Sequence, residues 1–268
     1  MYPYLYIFNS KIPTYIVLVG LGLMFSSFLV SYLLYKKSLV CQYSTGMLYA
    51  LPGVLIGGKL FGILSICFRN LYQIGAFRLK ESIEDAGIVF YGGLLGYILC
   101  SYVMCRMRKQ KFAIYSTFLA IGVPLFHFFG RIGCFLGGCC YGIESDASIA
   151  FMYKVIDQQK VVKRIPVSLI EAGFELSVFV LIFYQYQKAE KKGMIEKQMH
   201  SKISFLEQYL ILYAIFRLIT EVWRGDEIRG VFWGISFSQM ISIVILAVIL
   251  LQIKMKCNKC VIIKVDLK

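Results

Sequence analysis

The chain has 268 residues, of which 59% are hydrophobic and only 16% charged, whereas a soluble domain carries about 25% charge. The net charge of +14 sits in short clusters between long apolar runs, the arrangement of a membrane protein and not of a nucleic-acid binder. Intrinsic disorder and a disulfide-stapled miniprotein are excluded too, because nine cysteines in this length are not a scaffold density and several lie inside apolar runs.

A membrane-crossing helix needs about 20 mostly apolar residues. Seven stretches qualify, roughly 14–35, 48–68, 88–105, 113–130, 166–186, 204–223 and 231–253. The chain is therefore read as one all-α polytopic membrane domain over 1–268, with a Gly-rich region in an outer loop. The first stretch lacks the basic lead and small-residue cleavage site of a signal peptide, so it is expected to stay as the first span. With the N-terminus outside, lysine and arginine are more numerous in the inner loops than in the longer outer ones. An N-out, C-in orientation follows.

Polar residues inside spans mark candidate sites, since a charge at the bilayer centre costs about 2.5–3.5 kcal/mol even on the lenient scale. The second span holds Gly53, Gly57, Gly58 and Gly62, two small-xxx-small pairs that allow close helix approach. It also holds Lys59, which either faces a cavity or makes a structural ion pair. The third begins with Phe90-Tyr91-Gly92-Gly93-Leu94, where Tyr91 is an interface-belt residue or a site hydroxyl. After the fourth comes the densest patch, His127 to Gly142, with Gly130, Arg131, Gly133, Cys134, Gly137, Gly138, Cys139 and Cys140. So many glycines argue against a continuous helix. They suit a tight, re-entrant backbone that forms an anion nest with Arg131; a surface turn with a stray arginine is the plain alternative.

The sixth span carries Tyr213, Arg217, Glu221 and Arg224 at i, i+4, i+8 and i+11. As one helix, this is a single face about 16 Å long at ~1.5 Å per residue. A lipid phosphate is the abundant anion for such guanidiniums; an Arg–Glu pair that only locks helices is the alternative. For Cys134, Cys139 and Cys140 the readings are packable small residues, a Cys134–Cys139 bridge or a redox role. Cys257 and Cys260 form a lone C-x-x-C, weak as a zinc site. Cys41, Cys67, Cys100 and Cys105 read as apolar filler.

The combination Phe90-Tyr91-Gly92-Gly93-Leu94, Gly130-Arg131-Ile132-Gly133, Tyr141-Gly142, Pro166…Glu171 and Tyr213…Arg217…Glu221…Arg224 resembles the prolipoprotein diacylglyceryl transferases, over almost the whole chain. The resemblance implies a multi-pass protein of the bacterial cytoplasmic membrane. It implies transfer of the diacylglyceryl group of phosphatidylglycerol to the lipobox cysteine of a preprolipoprotein signal peptide, with release of glycerol phosphate. By position Arg131 matches the signature arginine and Arg217 the second essential one. Tyr213 and Glu221 match the functional tyrosine and glutamate, and Arg224 a further arginine. Gly142 closes the signature, Tyr15 matches a first-span tyrosine, and Lys59 stands where the family usually has arginine. Gly130, Gly133, Cys134, Gly92 and Gly93 are then expected to line the substrate.

The departures are as informative. The family signature runs Gly-Arg-x-Gly-Asn-Phe-x-Asn-Gly-Glu-x-Tyr-Gly; here Cys134 and Gly137 replace the asparagines and Cys139 the glutamate. Tyr91 stands in place of the family histidine, and His127 is not at the matching position. A phenol, with an ordinary pKa of about 10, is a poor base at neutral pH. Two alternatives follow, a paralogue with another acceptor and a non-catalytic lipid binder. A transporter is disfavoured by the lack of internal repeats. No motif suggests a nucleotide, haem or catalytic metal, and a monomer in membrane lipid is expected.

Overall fold

The computed structural model describes residues 1–7, 10–76, 78–154, 161–199, 201, 203–225, 231–232 and 234–265. Its helices are α1 (Thr14–Lys36), α2 (Val40–Ile74), α3 (Leu79–Asp85), α4 (Phe90–Met107), α5 (Phe112–Gly137), α6 (Val167–Lys191), α7 (Ile195–Met199), α8 (Phe205–Thr220) and α9 (Phe237–Val265). Three antiparallel hairpins join them: β1 (Tyr4–Ile7) with β2 (Ser10–Pro13), β3 (Phe151–Lys154) with β4 (Val161–Arg164), and β5 (Val231–Phe232) with β6 (Ile235–Ser236). A 3-10 turn, Glu221–Trp223, follows α8.

Helices overlap the seven expected stretches, but the last stretch opens with the β5–β6 strand pair and its helix begins only at Phe237. By length and composition α1, α2, α5, α6 and the Phe237–Cys257 part of α9 can each cross a membrane. α3 and α4 together make a sixth, bent by 93°. α8 has 16 residues, about 24 Å at ~1.5 Å per residue, short of the ~30 Å of a hydrocarbon core. α2, at 35 residues, overruns its expected span at both ends.

The chain divides into two units. The first joins Met1–Lys36, Phe118–Lys191 and Thr220–Glu227; the second joins Lys37–Thr117, Lys192–Ile219 and Ile228–Lys268. In the first, α5 packs on α1 and on α6. Gly22 leaves room for Phe126 and Phe129, Phe25 stacks on Phe129 at 5.4 Å, and Ser26 Oγ donates to the Gly122 carbonyl at 2.8 Å. Phe118 meets Tyr186 of α6 at 6.0 Å.

In the second unit α2 and α4 meet along a seam of glycines. A Cβ on Gly53 would stand 2.5 Å from the Gly96 carbonyl oxygen, and one on Gly57 or Gly62 would overlap the carbonyls of Gly92 and Gly87. The small-xxx-small spacing of α2 is thus met by the Gly92…Gly96 spacing of α4, and backbone touches backbone.

Candidate functional site

The glycine-rich patch does not break the helix where the composition suggests. α5 runs unbroken through Gly130 and Gly133 to Gly137, and Arg131 lies on it, not in a re-entrant loop. Each interior glycine costs about 1 kcal/mol of helix propensity, but Gly133 lets α1 pack closely. A Cβ there would stand 3.1 Å from Leu18 Cβ and 3.3 Å from Tyr15 Cα. Helix packing outweighs local propensity. The break comes at Gly138, with φ +73°.

A helical α5 puts His127 and Arg131 one turn apart, opposite Glu171 and Glu175 of α6. Arg131 Nε donates to His127 Nε2 at 3.0 Å and lies 2.8 Å from Glu171 Oε2. Because Nε2 of His127 accepts, its ring proton is on Nδ1, which donates to Glu175 Oε1 at 2.8 Å. Arg224 Nη1 donates to Glu171 Oε1 at 3.0 Å. Glu171 therefore holds a guanidinium with each oxygen, and the side chains of Arg131, Glu171 and Arg224 are only 9%, 1% and 1% exposed. A buried charge array of this kind survives only when its members hold one another.

Arg224 reaches this cluster by a route that corrects the single-face expectation. α8 ends at Thr220, and Arg224 is extended, with φ −84° and ψ 134°. Its backbone bridges Gly142 in an antiparallel pair, while Ile143 N donates to the Trp223 carbonyl at 2.9 Å and Gly225 N to that of Tyr141 at 3.2 Å. Backbone pairing with the Tyr141–Gly142 segment replaces the last helical turn. Gly142 is glycine because a Cβ would meet the carbonyls of Ile165 and Trp223 at 2.6 and 2.7 Å. Arg164 seals the junction, its guanidinium 4.4 Å above the Tyr141 ring and Nη1 3.3 Å from the Gly142 carbonyl. Glu221 is half-buried and opens the 3-10 turn.

Between α5 and this junction, Gly138 and Cys140 both have positive φ, +73° and +55°. For a cysteine that conformation costs about 1–3 kcal/mol. The turn folds Cys139 and Cys140 back on Cys134, and the three Sγ atoms lie within 4.8 Å of one another. Cys139 is exposed and Cys134 buried. Hydrogen bonds from Cys134 and Cys139 hold the Cys140 thiol well below its ordinary range, with help from Arg224 and Arg131. For Cys139 a hydrogen bond to Cys134 pulls down, but that to Cys140 and burial outweigh it, and the thiol is pushed up to about 11.

The remaining candidates belong to the second unit. Tyr91 is buried in the first turn of α4, with its hydroxyl 2.6 Å from Ser242 Oγ and its ring 5.1 Å from that of Tyr213. Tyr213 and Arg217 lie one turn apart on α8, both buried. Gly92 and Gly93 face Phe61 and Val54 of α2, so their smallness serves helix packing. Lys59 Nζ donates to the Ala86 carbonyl at 2.7 Å, just past α3. That gives it a backbone partner at a helix C-terminus. Of the Cys257…Cys260 pair, the second side chain lies outside the described residues.

Residues 3–254 match the family model for prolipoprotein diacylglyceryl transferase. The chain belongs to the prolipoprotein diacylglyceryl transferase family. A phosphatidylglycerol–prolipoprotein diacylglyceryl transferase of Rickettsia bellii is 30% identical over 215 residues, 78% of this chain and 77% of the relative. One of Clostridium tetani is 29% identical over 246 residues, 88% and 90%. One of Legionella pneumophila is 30% identical over 211 residues, 77% of each. With its apolar helices, this makes the protein a multi-pass transferase-family member of the bacterial inner membrane.

Within the family frame, the structure adds three residues to those expected from the motif. Glu171 appeared only as part of the resemblance, yet it joins Arg131 to Arg224. His127 and Glu175 were outside the expected site. The available signals were an i, i+4 acidic pair in an otherwise apolar span and a histidine one turn before Arg131, visible only if that stretch is helical.

Proposed function

We propose that this family member transfers the diacylglyceryl group of phosphatidylglycerol to the lipobox cysteine thiol of a preprolipoprotein and releases glycerol phosphate. The observation that carries the reading is the buried Arg131–Glu171–Arg224 cluster in the signature region. The thiolate sulfur attacks the glyceryl carbon that bears the phosphate ester. A C–S bond forms, the C–O bond breaks, and the electron pair leaves on the phosphate oxygen. Guanidiniums already desolvated and fixed by Glu171 stabilise that charge without reorganising. His127, neutral and tied to Glu175, positions Arg131 and has both ring nitrogens engaged. Arg217, Tyr213, Glu221 and Tyr91 stand as further candidates on the resemblance, with Tyr91, Tyr213 or water taking the thiol proton. The lysine and arginine distribution supports an N-terminus outside and a C-terminus in the cytoplasm, and a monomer suffices.

The test is transfer from phosphatidylglycerol to a lipobox peptide by the purified protein in detergent, with product read by mass. Arg131→Ala is expected to lower turnover by about a hundredfold or more. A second reading, a paralogue with another acceptor or none, is favoured by Cys134 and Cys139 in the signature and by the Tyr91–Ser242 hydrogen bond. Wild-type protein that holds phosphatidylglycerol yet makes no product would establish it.

A further inference from the structure

We propose that Cys134, Cys139 and Cys140 bind one divalent ion of the zinc class as three thiolates, and that its fourth position takes the acceptor thiol of the transfer reaction. The role, though not the site, rests on the proposed function.

The geometry comes first. The three Sγ atoms are within 4.8 Å of one another. Zinc–sulfur bonds of about 2.3 Å place thiolates ~3.8 Å apart on a tetrahedral ion, so small side-chain rotations close the set. The cluster is built by one short segment. The end of α5 presents Cys134, and the positive φ angles of Gly138 and Cys140 return the chain. The Cys139 amide, donating to the Cys134 carbonyl at 3.1 Å, pins the turn. Exposed Cys139 gives an ion access, and buried Cys134 forms the floor.

Charge comes second. Three thiolates on a divalent ion carry a net charge of minus one. Arg131 precedes Cys134 by one turn of α5, and the Arg224 backbone pairs with Gly142, two residues past Cys140, so guanidiniums flank the segment that carries the negative charge.

Chemistry comes third. Three protein ligands leave the open position typical of a working zinc site, not a closed structural one. A thiol that coordinates zinc loses its proton outright. The acceptor RSH displaces bound water, its proton passes to solvent, and zinc-bound RS⁻ attacks the glyceryl carbon. The C–O bond breaks onto the phosphate oxygen. The product thioether is a weak ligand, and water replaces it. This supplies the deprotonation for which the chain has Tyr91 in place of the family histidine.

The experiment titrates reduced, metal-free protein in detergent with Cd(II), following the ultraviolet thiolate-to-metal band. X-ray absorption of the Zn(II)-loaded protein counts the sulfurs directly and needs no variant. The expected result is one ion held by three sulfurs, retained in Cys257→Ser/Cys260→Ser and weakened about a hundredfold in Cys139→Ser/Cys140→Ser. No ion, fewer than three sulfurs, or unchanged binding in Cys139→Ser/Cys140→Ser overturns the site. A disulfide in freshly purified protein that takes up no ion after reduction overturns it as well. For the role, stripping the ion should lower transfer by about a hundredfold and Zn(II) should restore it. Transfer indifferent to stripping overturns the role. Loaded protein with no transfer overturns the proposed function and leaves the site standing.

Discussion

The charge cluster of α5 and α6 and the glycine seam of α2 and α4 solve one problem in opposite ways. Each joins two helices in a chain built for an apolar surrounding, where hydrophobic burial cannot drive association. The seam does it by removing side chains until backbones touch. The cluster does it with charge and hydrogen bonds, Arg131 and Arg224 paired with Glu171 and neutral His127 donating to Glu175. A seam tolerates no added atom, and a cluster tolerates no missing one. The seam therefore carries architecture, while the cluster presents chemistry, because its guanidiniums are desolvated and oriented before a substrate arrives.

The comparison breaks most readily at Glu171. Glu171→Ala removes the carboxylate that both buried guanidiniums share and is expected to cost about 3–5 kcal/mol, read as a fall in Tm together with lost transfer. A variant as stable as wild type would mean the cluster does not hold its helices. On the seam, Gly57→Leu should cost about 1–3 kcal/mol or more from overpacking, read as lower folded yield. Its failure would follow from steric overlap alone, without any lost charge. Gly142→Ala sits between the two cases. Its Cβ meets two carbonyls, so a loss of about 1–3 kcal/mol should come with reduced transfer as Arg224 shifts.

Smaller effects sharpen the contrast. In His127→Gln the amide oxygen can still accept from Arg131, and the loss should be only about 1 kcal/mol, with turnover falling more than lipid affinity. Gly130→Ala should do the reverse of the seam variants. Nothing lies within 4 Å of its added Cβ, so the helix gains about 0.4–1 kcal/mol. If transfer falls while Tm rises, substrate occupies the space beside Gly130.

Much of this was legible in the residues. The apolar runs fall on the helices, and the Gly-Arg-Ile-Gly block marks the arginine that the structure buries. The misreadings share a cause. Gly130 and Gly133 read as helix breakers because propensity is local, but α1 packs on Gly133. Tyr213 to Arg224 read as one face because the period continues, but Gly142 takes the Arg224 backbone into a ladder.

The sequence by itself determined the membrane class, the order of the helices and the family, since hydropathy and motif spacing are summed along neighbouring residues. Only the tertiary structure decided that Glu171 unites Arg131 with Arg224 and that His127 bridges Arg131 to Glu175. It also decided that three thiols converge at the C-terminal end of α5. A buried charge chooses its partner, and a turn its direction, by which backbones meet in space, and no local period records that.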